Sequence, residues 1–214
     1  MIRLSYSMCN EIIKTPHAYL NRVGGLKKKT SPAMEKGKQI HRIIQDSLCG
    51  DTPHPLFADV PTFEIVEKID LDPATKIEFQ HNDKYSVIGY ADGLNQSRTA
   101  VVEIKSGAKT WSISDFNKLA QWKIYKLGIP TLEQAFFITV PQDISGWNRT
   151  NIKFFKLQIT DKHQQEARDF LDQAIHVIEN IKDYVEKEQI GKFNRCFYQE
   201  CPWGCDSDET IQST

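Results

Sequence analysis

Residues 99–105 (Thr99-Ala100-Val101-Val102-Glu103-Ile104-Lys105) constrain this chain more than any other segment. Val101, Val102 and Ile104 are β-branched residues suited to a strand. The two-residue period of a strand puts Glu103 and Lys105 on one face and Ile104 on the other. Charges on so apolar a strand are costly if their face is buried, unless they are paired or bound to metal. The preceding strand is expected to end at Gly89-Tyr90-Ala91-Asp92-Gly93, so Asp92 meets Glu103 across the sheet. Two converging carboxylates repel unless a cation lies between them. Mg²⁺ suits that position, because it takes a few carboxylate oxygens together with phosphate oxygens and water. The competing reading is a surface ion pair between Glu103 and Lys105, with Asp92-Gly93 as a turn.

The rest of the pattern predicts a mixed α/β domain with a central sheet. Residues 5–22 read as a helix capped by Ser5 or Ser7 and broken or kinked at Pro16, and Pro32 opens a second helix over 32–49. Strands are expected at 62–68, 75–80, 85–91, 99–105, 132–140 and 150–159. A helix over 114–127 lies between the strands at 99–105 and 132–140, and Asp161 with Gln164 resembles a capping box opening a helix over 162–190. At 214 residues the expectation is one domain. It would have an N-terminal helical part (1–50), a core (62–160) and a C-terminal helix with a cysteine-containing tail (161–214).

No run of about 18 apolar residues is present, and Met1 to Tyr6 lack the apolar core of a signal peptide. A cytoplasmic location, in a bacterial or phage-infected cell, and no membrane partner are therefore expected. The formal charge of −1 is unevenly spread: residues 1–42 carry nine Lys/Arg against two Glu, and residues 43–103 carry eleven acids against four bases. Basic stretches flanking an acidic one suit a cationic groove around a metal site. The five cysteines are too few and too unevenly spaced for a disulfide framework.

Two further patterns accompany the carboxylates. Gly37 stands four residues before His41 in the second helix. A helical glycine costs about 1 kcal/mol, which suggests close packing at that turn. Gln121 and Tyr125, at i and i+4, share one helix face.

With these in place the sequence resembles the PD-(D/E)XK nuclease superfamily, in its RecB-like exonuclease branch. That branch includes CRISPR-associated iron–sulfur exonucleases, phage exonucleases and the mitochondrial genome maintenance exonuclease. The matching elements are Gly37 to His41, Gly89 to Asp92, Glu103 to Lys105 and Gln121 to Tyr125, in that order, with Ser5-Tyr6-Ser7 resembling the branch's S-x-S start.

The resemblance implies a restriction-endonuclease-like mixed sheet flanked by helices, and Mg²⁺- or Mn²⁺-dependent hydrolysis of DNA phosphodiesters from free ends or single strands. It implies Asp92, Glu103, the Ile104 carbonyl and His41 as metal ligands. Lys105 would orient and help deprotonate the attacking water or stabilise phosphate charge, and Gln121 and Tyr125 would be positioning residues. It implies work in recombination, repair or processing, with a recombination or replication protein as partner. The alternatives are a structure-specific endonuclease of the same fold and a silent DNA-binding subunit.

Some members of the branch also hold an iron–sulfur cluster through one N-terminal and three C-terminal cysteines. Here the candidates for such a cluster, or for zinc, are Cys9, Cys196, Cys201 and Cys205. Their spacing departs from the family's, and Thr15-Pro16 stands where the N-terminal cysteine belongs, which favours a metal-free tail. Arg3, Lys14, Arg22, Lys27, Lys28 and Lys29 are candidate phosphate contacts. Ser5 and Ser7 join them as candidate nucleic-acid contacts, and Trp111 is a candidate stacking residue.

Overall fold

The computed structural model describes residues 1–28, 30–49, 71–73, 75–107, 111–147, 151–190, 198 and 201–202; of 49, 71–73, 189 and 190 it describes the backbone alone. The expected strand at 62–68 lies outside these residues. The chain divides into two compact units, one formed by Met1–Tyr6 and Pro32–Arg168 and the other by Ser7–Ser31 and Asp169–Thr214. No described helix is long and apolar enough to cross a membrane.

The first unit is mixed α/β with sheets flanked by helices, the class expected from the sequence. Its five-stranded sheet has the order β2 (Leu71–Pro73), β5 (Gly93–Asn95), β6 (Ala100–Gly107), β7 (Gln134–Pro141) and β8 (Lys153–Gln158). Strands β6 and β7 run parallel and the other neighbours antiparallel. A three-stranded sheet of β1 (Ile2–Leu4), β4 (Tyr85–Tyr90) and β3 (Lys76–Gln80) joins β1 to β4 in parallel, with Leu4 level with Val87.

Strand β6 divides the core by its alternation. Ala100, Val102 and Ile104 pack with Phe136, Ile138 and Val140 of β7 under Ile40, Ile44 and Leu48 of α3 (Pro32–Cys49). Val101, with Ala135 and Phe137, faces Phe116, Trp122 and Tyr125 of α4 (Ile113–Asn117) and α5 (Gln121–Gly128). Each buried Phe, Ile or Leu contributes roughly 1.5–3 kcal/mol, so both layers hold β6 from opposite sides. Phe116 and Phe137 stack at 4.1 Å between centroids in the second layer.

The single helix expected over 114–127 is two. The Phe116 carbonyl accepts from Trp122 Nε1 at 2.9 Å and the Asn117 carbonyl accepts from Lys123 Nζ. The Phe116 carbonyl also accepts from the Leu119 backbone N–H at 3.0 Å, a tightened last turn at which the helix ends. The expected capping box at Asp161 and Gln164 is also displaced. Helix α6 (Asp161–Glu179) begins after Thr160, whose backbone N–H donates to His163 Nδ1 at 3.1 Å.

In the second unit Pro16 opens α2 (Pro16–Val23), breaking it from α1 (Tyr6–Lys14) as the fixed proline φ and missing N–H require. The C-terminal helix expected over 162–190 is interrupted at Asn180, where α6 gives way to α7 (Ile181–Ile190). The Asn180 amide donates to the His176 carbonyl at 2.9 Å, a side-chain bond that competes with the helix ladder. His17 is buried, and its backbone N–H and Nδ1 meet the two carboxylate oxygens of Glu188 at 3.1 and 2.7 Å. Ala18, Tyr198 and Cys201 form a small apolar cluster with Leu26 beside it.

Candidate active site

The site is assembled where β5 stops pairing with β6. The ladder between them ends at Gly93 opposite Val102, while β6 runs on to Gly107. The next N–H on that edge belongs to Ile104, and Asp92 Oδ2 accepts from it at 2.7 Å. A carboxylate thus replaces a missing strand partner. Asp92 Oδ1 lies 3.2 Å from His41 Nδ1, and the Asp92 carbonyl accepts from Gln45 Nε2 at 2.9 Å. His41 and Gln45 are four residues apart on α3, so one helix face holds both ends of the aspartate.

The remaining motif residues close a ring. Lys105 Nζ donates to Glu103 Oε2 at 2.9 Å and to Gln121 Oε1 at 2.8 Å. Gln121 Nε2 donates to the Tyr125 hydroxyl at 2.9 Å, and that hydroxyl lies 2.8 Å from Glu103 Oε1. It also lies 2.9 Å from the Tyr90 carbonyl, to which it donates. Gly89 leaves room for this ring, since a Cβ there would stand 2.8 Å from Tyr125 Cε1. Gly37 is less demanding than its helical cost suggests: a Cβ there would meet Ser106 Oγ at 3.5 Å, an ordinary contact.

Burial distinguishes this cluster from a surface ion pair, because Glu103 is only 1% exposed. Desolvation pushes its carboxyl up to about 7, aided by Asp92 and opposed by the Lys105 charge and by hydrogen bonds from Lys105 and Tyr125. At Lys105 burial pulls the ammonium down, but Glu103 and Asp92 outweigh it and the value is raised. The lysine stays charged, and the glutamate is short of positive charge. The hydrogen-bond count agrees. The Tyr125 hydroxyl has one proton to share between the Tyr90 carbonyl and Glu103 Oε1, so it serves neither acceptor fully. Burial also raises Tyr125 well above its ordinary value, so it remains a donor.

Among the described residues no three His, Cys, Asp or Glu side chains converge as an ion-holding group. His41 and Asp92 face each other, while Glu103 faces Lys105 and Tyr125. The donor chemistry nonetheless fits a hard divalent cation: one imidazole and two carboxylates, of which the buried Glu103 is not fully stabilised by one ammonium.

The other candidate residues are dispersed. Trp111 stacks on Phe116 with centroids 5.4 Å apart, at the edge of the core. Ser5 is half-buried and Ser7 exposed. Lys27 is exposed, Lys28 pairs with Glu11 at 2.8 Å in the second unit, and Lys29 lies outside the described residues. Cys9 and Cys201 are buried thiols, and Asn21 Nδ2 donates to Cys201 Sγ at 3.1 Å. Burial pushes the Cys9 thiol up to about 12, against the thiolate a metal would require. Cys196 and Cys205 lie outside the described residues.

Three contributors were not singled out from the sequence. Gln45 was signalled only by its i+4 spacing from His41. Gly89 was quoted within a motif without its steric reason. Tyr6 lies between the two serines, and its phenol, raised by burial, also feels the charges of Lys105 and Glu103.

No protein-family model matches the chain, and no curated protein matches its sequence. Solved structures do match. SSO0001 aligns at TM-score 0.54 and 12% identity, over 82% of this chain and 76% of that one. A protein of Eubacterium rectale assigned as an exonuclease aligns at TM-score 0.53 and 13% identity, over 99% of this chain and 90% of its own. The alkaline exonuclease LHK-Exo from Laribacter hongkongensis aligns at TM-score 0.47 and 13% identity, over 86% and 94% of the two chains. At such identities the likeness is one of fold: the chain shares the mixed α/β fold of SSO0001 and of the Eubacterium rectale protein.

Proposed function

We propose that this protein is a divalent-metal-dependent deoxyribonuclease that hydrolyses phosphodiester bonds from DNA ends. The observation that carries the reading is the buried Glu103–Lys105–Gln121–Tyr125 ring beside the Asp92–His41 pair. The assignment of the Eubacterium rectale protein as an exonuclease supports an exonuclease over other nucleases.

Asp92, Glu103, His41 and the Ile104 carbonyl would hold the ion. When bound, the cation supplies positive charge against the phosphate and lowers the pKa of a water. The chain's own residues do the rest. Lys105, held charged, serves better as an electrostatic partner of the phosphate oxygens than as a base. An aimed donor of this kind is worth roughly 3 kcal/mol in the transition state. Gln121 fixes the ammonium, and Tyr125 fixes Gln121 and Glu103, so the charged groups do not reorganise during reaction.

The test is end-labelled single- and double-stranded DNA incubated with Mg²⁺ or Mn²⁺ and followed as a ladder, with a covalently closed circle alongside. The expected result is progressive shortening from an end, an intact circle, and no cleavage by folded Asp92→Ala or Lys105→Ala. Full activity in either variant refutes the assignment. Cutting of the closed circle moves the reading to an endonuclease.

A further inference from the structure

Tyr90 is the one exposed residue among the described Phe, Tyr and Trp, at 59% exposure. An isolated exposed apolar side chain is ordinary, but the backbone that carries this one is held by the site itself. Its carbonyl accepts from the Tyr125 hydroxyl at 2.9 Å, the hydroxyl that also contacts Glu103. On its other side the next residue, Ala91, donates to the Thr75 carbonyl at 3.1 Å and is itself buried. Tyr90 pairs in register with Lys76 of β3 and precedes Asp92 by two residues. Two residues span at most about 7 Å, close to the reach of a single nucleotide. The Tyr90 backbone, the Glu103 carboxylate and, through Gln121, the Lys105 ammonium are therefore joined by the Tyr125 hydroxyl.

We propose that Tyr90 is a stacking platform for the nucleobase next to the phosphate held at Lys105. An aromatic face accepts any base, and it needs a base whose own face is free, so the platform selects unpaired strands or frayed ends. The proposal rests on the nuclease reading above and adds to it the form of the substrate.

The test uses a fluorescently labelled single-stranded oligodeoxynucleotide bound in EDTA, either intact or with one abasic residue stepped inward from each end. Wild-type protein should lose at least about fivefold in affinity at one abasic position, the lower end of the range for a stacked base. Tyr90→Ala should show a similar loss on the intact strand and no further loss at that position. Tyr90→Phe, which keeps the ring, should restore the affinity. The proposal is overturned if Tyr90→Ala binds the intact strand as wild type does, or if its loss adds to every abasic loss alike. Cleavage with Mn²⁺ separates the two readings. If wild type cuts the strand and Tyr90→Ala shows no binding loss, only the platform fails. If wild type neither binds nor cuts DNA, the nuclease reading fails and the platform falls with it.

Discussion

Between about pH 4.5 and 7 the metal-free protein should lose stability as pH rises, and Glu103→Gln should remove most of that loss. Glu103 is 1% exposed, and desolvation lifts its carboxyl from 4.5 to about 7 against the pull of Lys105. The sign follows from proton counting. In this window the unfolded chain has released the proton and the folded chain still holds it, so raising the pH favours unfolding. The rise from 4.5 to about 7 corresponds to roughly 3 kcal/mol at about 1.4 kcal/mol per pH unit. Lys105 does not offset the slope, because its value is raised from 10.5 and it is charged in both states throughout the window. Urea unfolding in EDTA at a series of pH values, followed by tryptophan fluorescence, reads the effect. Trp111, Trp122 and Trp147 all lie in the first unit. Other carboxylates contribute equally to both proteins, so the difference between the two curves isolates Glu103. Parallel curves for wild type and Glu103→Gln would refute the reasoning.

Mn²⁺ at pH 8 should raise the urea midpoint of wild type more than that of Glu103→Gln, since the ion favours the ionised carboxylate; equal shifts would remove Glu103 from the ligand set. Gly89→Ala should cost about 1–3 kcal/mol by overpacking, because its Cβ would stand 2.8 Å from the Tyr125 ring. An unchanged urea midpoint counts against that contact. Gln45→Ala should cost about 1 kcal/mol and lower kcat more than KM, through loss of its bond to the Asp92 carbonyl at 2.9 Å. Unchanged kcat on end-labelled DNA would make Gln45 merely structural. Cys9, buried with its thiol near 12, should resist iodoacetamide at pH 8 in the native protein; rapid labelling detected by mass spectrometry would contradict its burial.

The parts legible in the sequence were those governed by local rules. The two-residue period of β6 separated Glu103 and Lys105 from Ile104. Proline geometry placed the break at Pro16, and the i,i+4 rule put Gln121 beside Tyr125. Expectations failed where a distant or competing partner intervened. The helix break after Asn117 comes with a tight Leu119-to-Phe116 turn and with Trp122 and Lys123 reaching back to carbonyls, which helical periodicity does not encode. Strand β1 went unseen because three residues carry little pattern and its pairing with β4 is long-range. Gly37 suggested crowding that is not there, since a glycine records that a Cβ is absent without saying what would have met it.

By itself, then, the sequence determined which residue types this protein can bring to one place: two carboxylates, a lysine, a histidine and a Gln–Tyr pair, all but Asp92 on an element whose period aims it. Only the tertiary structure decided how they are joined. Asp92 caps the N–H of Ile104 because β5 stops short. Glu103 is desolvated because α5 packs over β6, and the Tyr125 hydroxyl ties the ring to the Tyr90 backbone. Burial and long-range pairing are properties of the packed layers. They set the charge of Glu103 and the place of Tyr90, where spacing along the chain could not.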